Sequence, residues 1–209
     1  MRHGESVANV FDRDRARPEG DVDRLTDRGW EQARGLGRRL QGEGLETILA
    51  SPMRRAQETA SAINEVLGLP LATGEELFEV RQSDAFYANL PHAAEHATLA
   101  WMPTAPPDEA PDGAESFAEI LGRVKRVRER LETSGAERIL AVSHYGFMHF
   151  LLGLTMFEEA FAPEHLLGVY SLGHANTGIS IFTRHEHRVL DGIPFPGWAL
   201  TTWNDRAHL

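Results

Sequence analysis

Two stretches of this chain repeat apolar side chains at three- and four-residue spacing, the mark of a helix with one face turned inward. The first, from Thr26 to Gln41, carries Trp30, Ala33, Leu36 and Leu40 and stops near Gly42 and Gly44. The second follows Ser116-Phe-Ala-Glu119, which reads as a capping box. It sets Phe117, Ile120, Leu121, Val124, Val127 and Leu131 on one face up to about Gly135, with Arg126, Arg128 and Arg130 mostly on the wet side. Two short runs are apolar on successive residues instead: Glu46-Thr-Ile-Leu-Ala50 and Arg138-Ile-Leu-Ala-Val-Ser143. Such runs are expected of strands covered on both faces in a parallel sheet.

Ser51-Pro52 follows the first of these strands, which predicts an N-cap with proline at the first helical position. The helix should run to about Leu67 and close on Gly68. From Leu77 to Trp101 the periodicity is weak, and Met102 to Gly113 is a loop rich in proline and acid, so residues 80–113 read as a small cap or insertion after the second helix. Near the end, Gly178-Ile-Ser-Ile-Phe182 and Arg188-Val-Leu-Asp-Gly-Ile193 predict two strands, paired as a hairpin across Thr183 to His187. The closing residues from Trp203 to Leu209 read as a tail, either packed onto the domain or a disordered end. Strands alternating with helices predict a single domain over 1–209, of class α/β, built as a three-layer α/β/α sandwich on a mostly parallel central sheet.

Charge narrows the partners. The 209 residues hold 21 Lys+Arg against 31 Asp+Glu, a net charge of -10, so the mean field repels nucleic acid and phosphate and any anion site must be local. The absence of Cys excludes disulfides and thiolate chemistry. No apolar run is long enough to span a bilayer, and no basic-then-apolar leader opens the chain. The expectation is a cytoplasmic protein with no nucleic-acid or membrane partner, for which a homodimer is admitted but not required.

In open α/β sheets, ligands collect beyond the carboxyl ends of the strands. Three turns at such places carry titratable or cationic groups: Arg2-His3-Gly4, Ser51 to Ala60 with Arg54 and Arg55, and Ser143-His144-Tyr-Gly146. The set of Arg2-His3-Gly4-Glu5-Ser6 with Asn9, Leu25-Thr26 with Gly29 and Ala33, Ser51-Pro52 with Arg55-Ala56 and Thr59-Ala60, and Ser143-His144 with Gly146 resembles the histidine phosphatase superfamily, the phosphoglycerate mutase-like clan. The order and approximate spacing match over nearly the whole chain, and Gly113 with Glu115-Ser116 and Asn176 with Gly178 look like the family's later landmarks.

The resemblance implies a phosphomonoester hydrolase working through a phosphohistidine on a small phosphorylated metabolite, with no metal and no cofactor. His3 would be the nucleophile, since a neutral imidazole can attack phosphorus and divide hydrolysis into two displacements. Arg2 and Arg55 would hold the phosphoryl oxygens by forked hydrogen bonds, and His144 would donate a further one. Asn9 and Ser6 would bind substrate beside them. A carboxyl is needed to protonate the leaving oxygen and later deprotonate water. Glu79 in Leu77-Phe-Glu79 occupies the family's place for it, with Glu76 and Asp84 as alternatives because the following residues depart from the family's pattern.

A mutase would need further contacts to a carboxylated intermediate, and a non-catalytic binding module of this fold would usually lack one of Arg2, His3, Arg55 and His144; phosphatase is the better reading. Glu5 reads as structural, Arg54 as a solvated charge, and His92 with His96 as a surface pair. Family members place a buried strand directly before the Arg-His-Gly triplet, and here only Met1 precedes it. Either the true chain begins upstream, the favoured expectation, or this copy lacks that strand; if the chain does begin here, the turn of His3 should lose its anchor and gain the charge of an α-amino group.

Overall fold

The structure, a computed structural model, describes residues 1–10, 21–88, 102–186, 189–190, 193–194 and 197–209. His92, His96 and Trp101 lie outside the described residues.

The central sheet follows from the two apolar runs. Strands β1 (Thr47–Ala50) and β3 (Ile139–Val142) pair in parallel with Ala50 opposite Val142, and β2 (Leu71–Thr73) pairs in parallel on the other edge of β1. The side chains alternate between two cores, as a strand covered on both faces requires. Ile48, Ala50, Leu140 and Val142 join Ala33, Leu36, Ala60 and Ile63 from α2 (Asp27–Arg39) and α3 (Arg54–Leu67). Leu49 and Ala141 pack on the opposite face against Phe117, Ile120, Val124, Phe147 and Phe150 from α5 (Phe117–Glu132) and α6 (Tyr145–Phe157). Helices therefore cover both faces of a parallel sheet, the three-layer α/β/α arrangement expected.

The caps of α5 and α3 behave as the sequence predicts, and α2 has one that the sequence reading did not name. Thr26 accepts from Gly29 N to start α2, Ser116 and Glu119 form the reciprocal box that starts α5, and Gly68 ends α3 with φ 64°. Ser51 is a correction. The cap residue of α3 is Met53 and makes no side-chain bond, while the Ser51 hydroxyl lies 2.7 Å from His144 Nε2. The remaining described helices are α1 (Val7–Val10), α4 (Asp84–Ala88) and α7 (Leu166–Tyr170).

The expected hairpin is also corrected. β4 (Ile179–His185) pairs antiparallel with β7 (Gly197–Asp205), so its partner strand lies further on and takes in only Trp203 to Asp205 of the residues read as a tail. The short runs β5 (Val189–Leu190) and β6 (Ile193–Pro194) pair with each other.

No named strand precedes the Arg-His-Gly triplet among the described residues, yet the turn is anchored. Arg2 forms a parallel bridge with Ser143 beyond the end of β3, with Ser143 N donating to Met1 O at 2.9 Å and His3 N to Ser143 O at 3.0 Å. Met1 is buried and its α-amino group donates to Ala141 O at 2.8 Å.

Candidate active site

The registers of the sheet decide what meets what. Because Ala50 lies opposite Val142 and Arg2 opposite Ser143, the turns after β1, after β3 and after Arg2 emerge side by side at one end of the sheet. Two glycines let the first of them sit low. Gly4 approaches Gly29 so closely that a Cβ on Gly4 would stand 2.7 Å from Gly29 O. Gly4 N donates to Thr59 Oγ1 at 2.9 Å, and Thr59 Oγ1 donates to Arg55 O at 2.6 Å, tying the turn to α3.

His3 is 2% exposed, and two contacts fix its tautomer. Nδ1 lies 2.7 Å from Gly4 O, which can only accept, so Nδ1 carries the proton. Nε2 then holds the lone pair, and Arg55 Nε donates to it at 3.0 Å. Burial, followed by the charges of Arg55 and Arg2, holds the imidazole well below its ordinary pKa of 6.5, so the ring is neutral at pH 7. His144 stands beside it with ring centroids 5.1 Å apart. Burial first, then Arg55, His3 and Arg2, depress its pKa in the same way.

The two guanidiniums are held differently. Arg2 Nη1 donates to His174 O at 2.6 Å, and its Cζ lies 5.3 Å from the centre of the Tyr145 ring. Arg55, on the first turn of α3, is ion-paired through Nη1 with Asp23. Asp23 also accepts from Arg54 N at 2.7 Å. Arg54 points outward to Asp21 and Glu58, as expected of a solvated charge.

Asn9 and Ser6 sit next to one another. Asn9 Oδ1 accepts from Ser6 N and Ser6 Oγ, both at 3.1 Å, and from Asn176 Nδ2 at 3.0 Å. Three donors on Oδ1 fix the amide orientation and leave Nδ2 as the group Asn9 presents. The Ser6 hydroxyl is buried and committed to Asn9. Glu5 accepts from Thr26 Oγ1 at 2.8 Å and lies 3.5 Å from Arg28, the structural role expected of it.

Of the three candidate acids, the structure brings Glu79 to the head of α6. Its Oε1 accepts from Val80 N at 2.8 Å and Phe147 N at 3.2 Å, and its Oε2 from Gly146 N at 3.2 Å. The carboxylate thus sits at the positive end of the helix that starts beyond His144, whose side chain makes no capping bond there. Glu76 turns away to Arg126 at 2.6 Å, and the Asp84 carboxyl packs against Gly113.

Residues that the sequence reading left without a role complete the surroundings. Asp23 pairs with Arg55, the Asn176 amide donates to His3 O at 3.1 Å, and the carbonyl of His174 orients Arg2. Among the described residues, no helix is long and apolar enough to cross a membrane.

A sandwich of this kind, with two neutral imidazoles and two guanidiniums gathered beyond the carboxyl ends of its parallel strands, is a phosphate-handling α/β enzyme. The family model of the histidine phosphatase superfamily (branch 1) matches residues 1–191, and the chain belongs to that family. It is 31% identical over 169 residues to the adenosylcobalamin/alpha-ribazole phosphatase of Escherichia coli, spanning 79% of this chain and 81% of that one. Among solved structures, Bacillus stearothermophilus YhfR superposes with a TM-score of 0.73 at 25% identity, covering 99% of this chain and 96% of that one. A mycobacterial glucosyl-3-phosphoglycerate phosphatase in complex with VO3 superposes with a TM-score of 0.69 at 26% identity, covering 98% and 97%.

Proposed function

We propose that this phosphatase hydrolyses a small phosphate monoester in the cytoplasm through a phosphohistidine on His3. The observation that carries the reading is the tautomer of His3: a neutral ring whose Nε2 lone pair lies among the guanidinium and imidazole donors. His3 Nε2 attacks phosphorus as the ester P–O bond breaks, and the carboxyl of Glu79 gives its proton to the departing oxygen. Water then attacks phosphorus, the N–P bond breaks, and Glu79 takes the proton that water loses.

Arg2, Arg55 and His144 hold the phosphoryl oxygens through both steps, where charge spread over those oxygens rewards fixed donors. Arg2 Nε and His144 Nδ1 are buried without a protein partner, as donors reserved for an anion would be. Asn9 offers its Nδ2 to the same group, and Ser6 acts by orienting Asn9. The guanidiniums supply the charge that a metal would otherwise bring. The span 80–113, of which 89–101 lie outside the described residues, is the proposed cap against the organic part of the ester. The relatives named as phosphatases for alpha-ribazole and glucosyl-3-phosphoglycerate support a small metabolite as substrate.

The test is hydrolysis of 4-nitrophenyl phosphate together with mass spectrometry of the acid-sensitive phosphoryl adduct. His3→Ala should abolish both, and an undiminished rate would overturn the reading.

A further inference from the structure

We propose that Arg123, through its buried ion pair with Glu115, is a positioning residue for Glu79; this rests on the reading of Glu79 as the acid and base. Both side chains of the pair are 3% exposed. Arg123 Nε donates to Glu115 Oε1 at 2.9 Å and Nη2 to Oε2 at 2.8 Å. A buried pair of this kind is weak grounds for stability, because desolvation offsets its attraction and apolar residues of like volume often serve as well. Its other contacts all go to one place.

Arg123 Nη1 donates to Glu76 O at 2.9 Å and to Phe78 O at 2.8 Å, just before Glu79. Glu115 Oε2 accepts from Arg81 N at 2.9 Å, just after it. The guanidinium lies 3.8 Å from the centre of the Phe78 ring and 5.5 Å from that of Phe147, whose own N–H donates to Glu79. Residues 78–83 lie in neither helix nor strand, so no ladder fixes them. One side-chain pair thus grips the segment on both sides of Glu79 and touches the helix turn that receives its carboxylate.

A general acid is felt by the leaving group. An ester whose leaving oxygen departs without help barely needs Glu79, whereas one with a basic leaving oxygen does, so misplacing the carboxyl should discriminate between them. The test compares 4-nitrophenyl phosphate with phenyl phosphate in Glu79→Gln, in Glu115→Gln/Arg123→Met and in the triple variant, with the vanadate-induced rise in Tm as the readout of the anion site. The double variant removes both charges, so neither is left buried alone.

The expected result is a loss of about tenfold or more in kcat/KM on phenyl phosphate, the scale of a displaced catalytic group. The loss on 4-nitrophenyl phosphate should be under about threefold, with an unchanged vanadate shift and a further loss under about twofold in the Glu79→Gln background. Equal losses on both esters, no loss, or full additivity with Glu79→Gln would overturn the proposal. If Glu79→Gln itself shows no discrimination between the esters, the acid reading fails and this inference with it. Should the double variant not melt cooperatively, Arg123→Lys keeps the charge but not the fork, and must show the same discrimination in smaller degree or the proposal falls.

Discussion

Arg55 Nε donates to His3 Nε2 at 3.0 Å, so the lone pair that the proposed attack requires is covered by the guanidinium proposed to grip the phosphoryl group. On that proposal, binding of an anion would give that N–H a better acceptor and uncover the His3 lone pair in the same movement. Asp23, paired to Nη1, anchors the guanidinium from the other side. Arg55→Lys keeps a charge but loses the fork, and a point charge cannot replace the planar donors. We expect kcat/KM to fall by roughly 10²–10³, the range for removing one transition-state donor. A fall of less than tenfold, measured with 4-nitrophenyl phosphate, would show that Arg55 does not clamp the transferring group.

The buried histidines give stability a pH dependence of definite sign. Burial is the first cause of the lowered pKa of His149, about 4, and of His174, about 3. His3 and His144 are also held well below 6.5. Their folded values lie under the unfolded value, so the unfolded chain binds protons that the native state refuses. The contribution is complete above about pH 6.5 and is lost as pH falls, down to about 4 for His149 and about 3 for His174. Each such group removes about 1.4 kcal/mol per pH unit within its window. Denaturant unfolding at pH 7.5 and 5.5 should show the loss, and His149→Asn should reduce it by about 1 kcal/mol between the two pH values. An unchanged loss in that variant would contradict the assignment.

Asn176 tests how substrate contacts are oriented. Its amide donates both to His3 O and to Asn9 Oδ1, at 3.1 and 3.0 Å, so it holds the Asn9 side chain with Nδ2 outward. Asn176→Ala should raise KM about three- to tenfold, the range of one net hydrogen bond, with a smaller change in kcat. A kcat loss at constant KM would instead place Asn176 in the chemical step.

Much of this arrangement is legible in the sequence because it rests on local signals. The unbroken apolar run within 138–143 gives a covered strand, the Ser116 box gives a helix start, and the three turns at strand ends hold the candidate site residues. What escapes the sequence is decided by tertiary neighbours. The Ser51 hydroxyl is equally fit to cap a helix and to meet an imidazole, and only the adjacency of β1 and β3 selects His144. β4 passes over the nearest extended run for β7, because pairing is chosen by packing and not by proximity along the chain. The anchor of His3 lies in Ser143, 140 residues from His3 by number, and no local pattern reports it. Arg123 did leave a signal. It stands three residues after Ile120 and four before Val127, a charge within an apolar stripe, which calls for a buried partner.

Gly146→Ala probes the seat of Glu79 without substituting a titratable residue. A Cβ there would stand 2.6 Å from Glu79 Oε1 and 2.8 Å from Val80 Cγ2. Neither neighbour is backbone, so the chain can yield, but the carboxylate must leave the N–H groups of Gly146 and Phe147. Alanine meanwhile gains up to about 1 kcal/mol of helix propensity over glycine, which offsets part of the crowding. Tm should therefore move little while hydrolysis of phenyl phosphate falls by about tenfold or more, the cost of a misplaced catalytic group. The loss on 4-nitrophenyl phosphate should be smaller, because its leaving oxygen asks less of an acid. If both esters keep their parent rates, the carboxylate is not needed where the structure holds it, and its bonds to the head of α6 serve only to cap that helix.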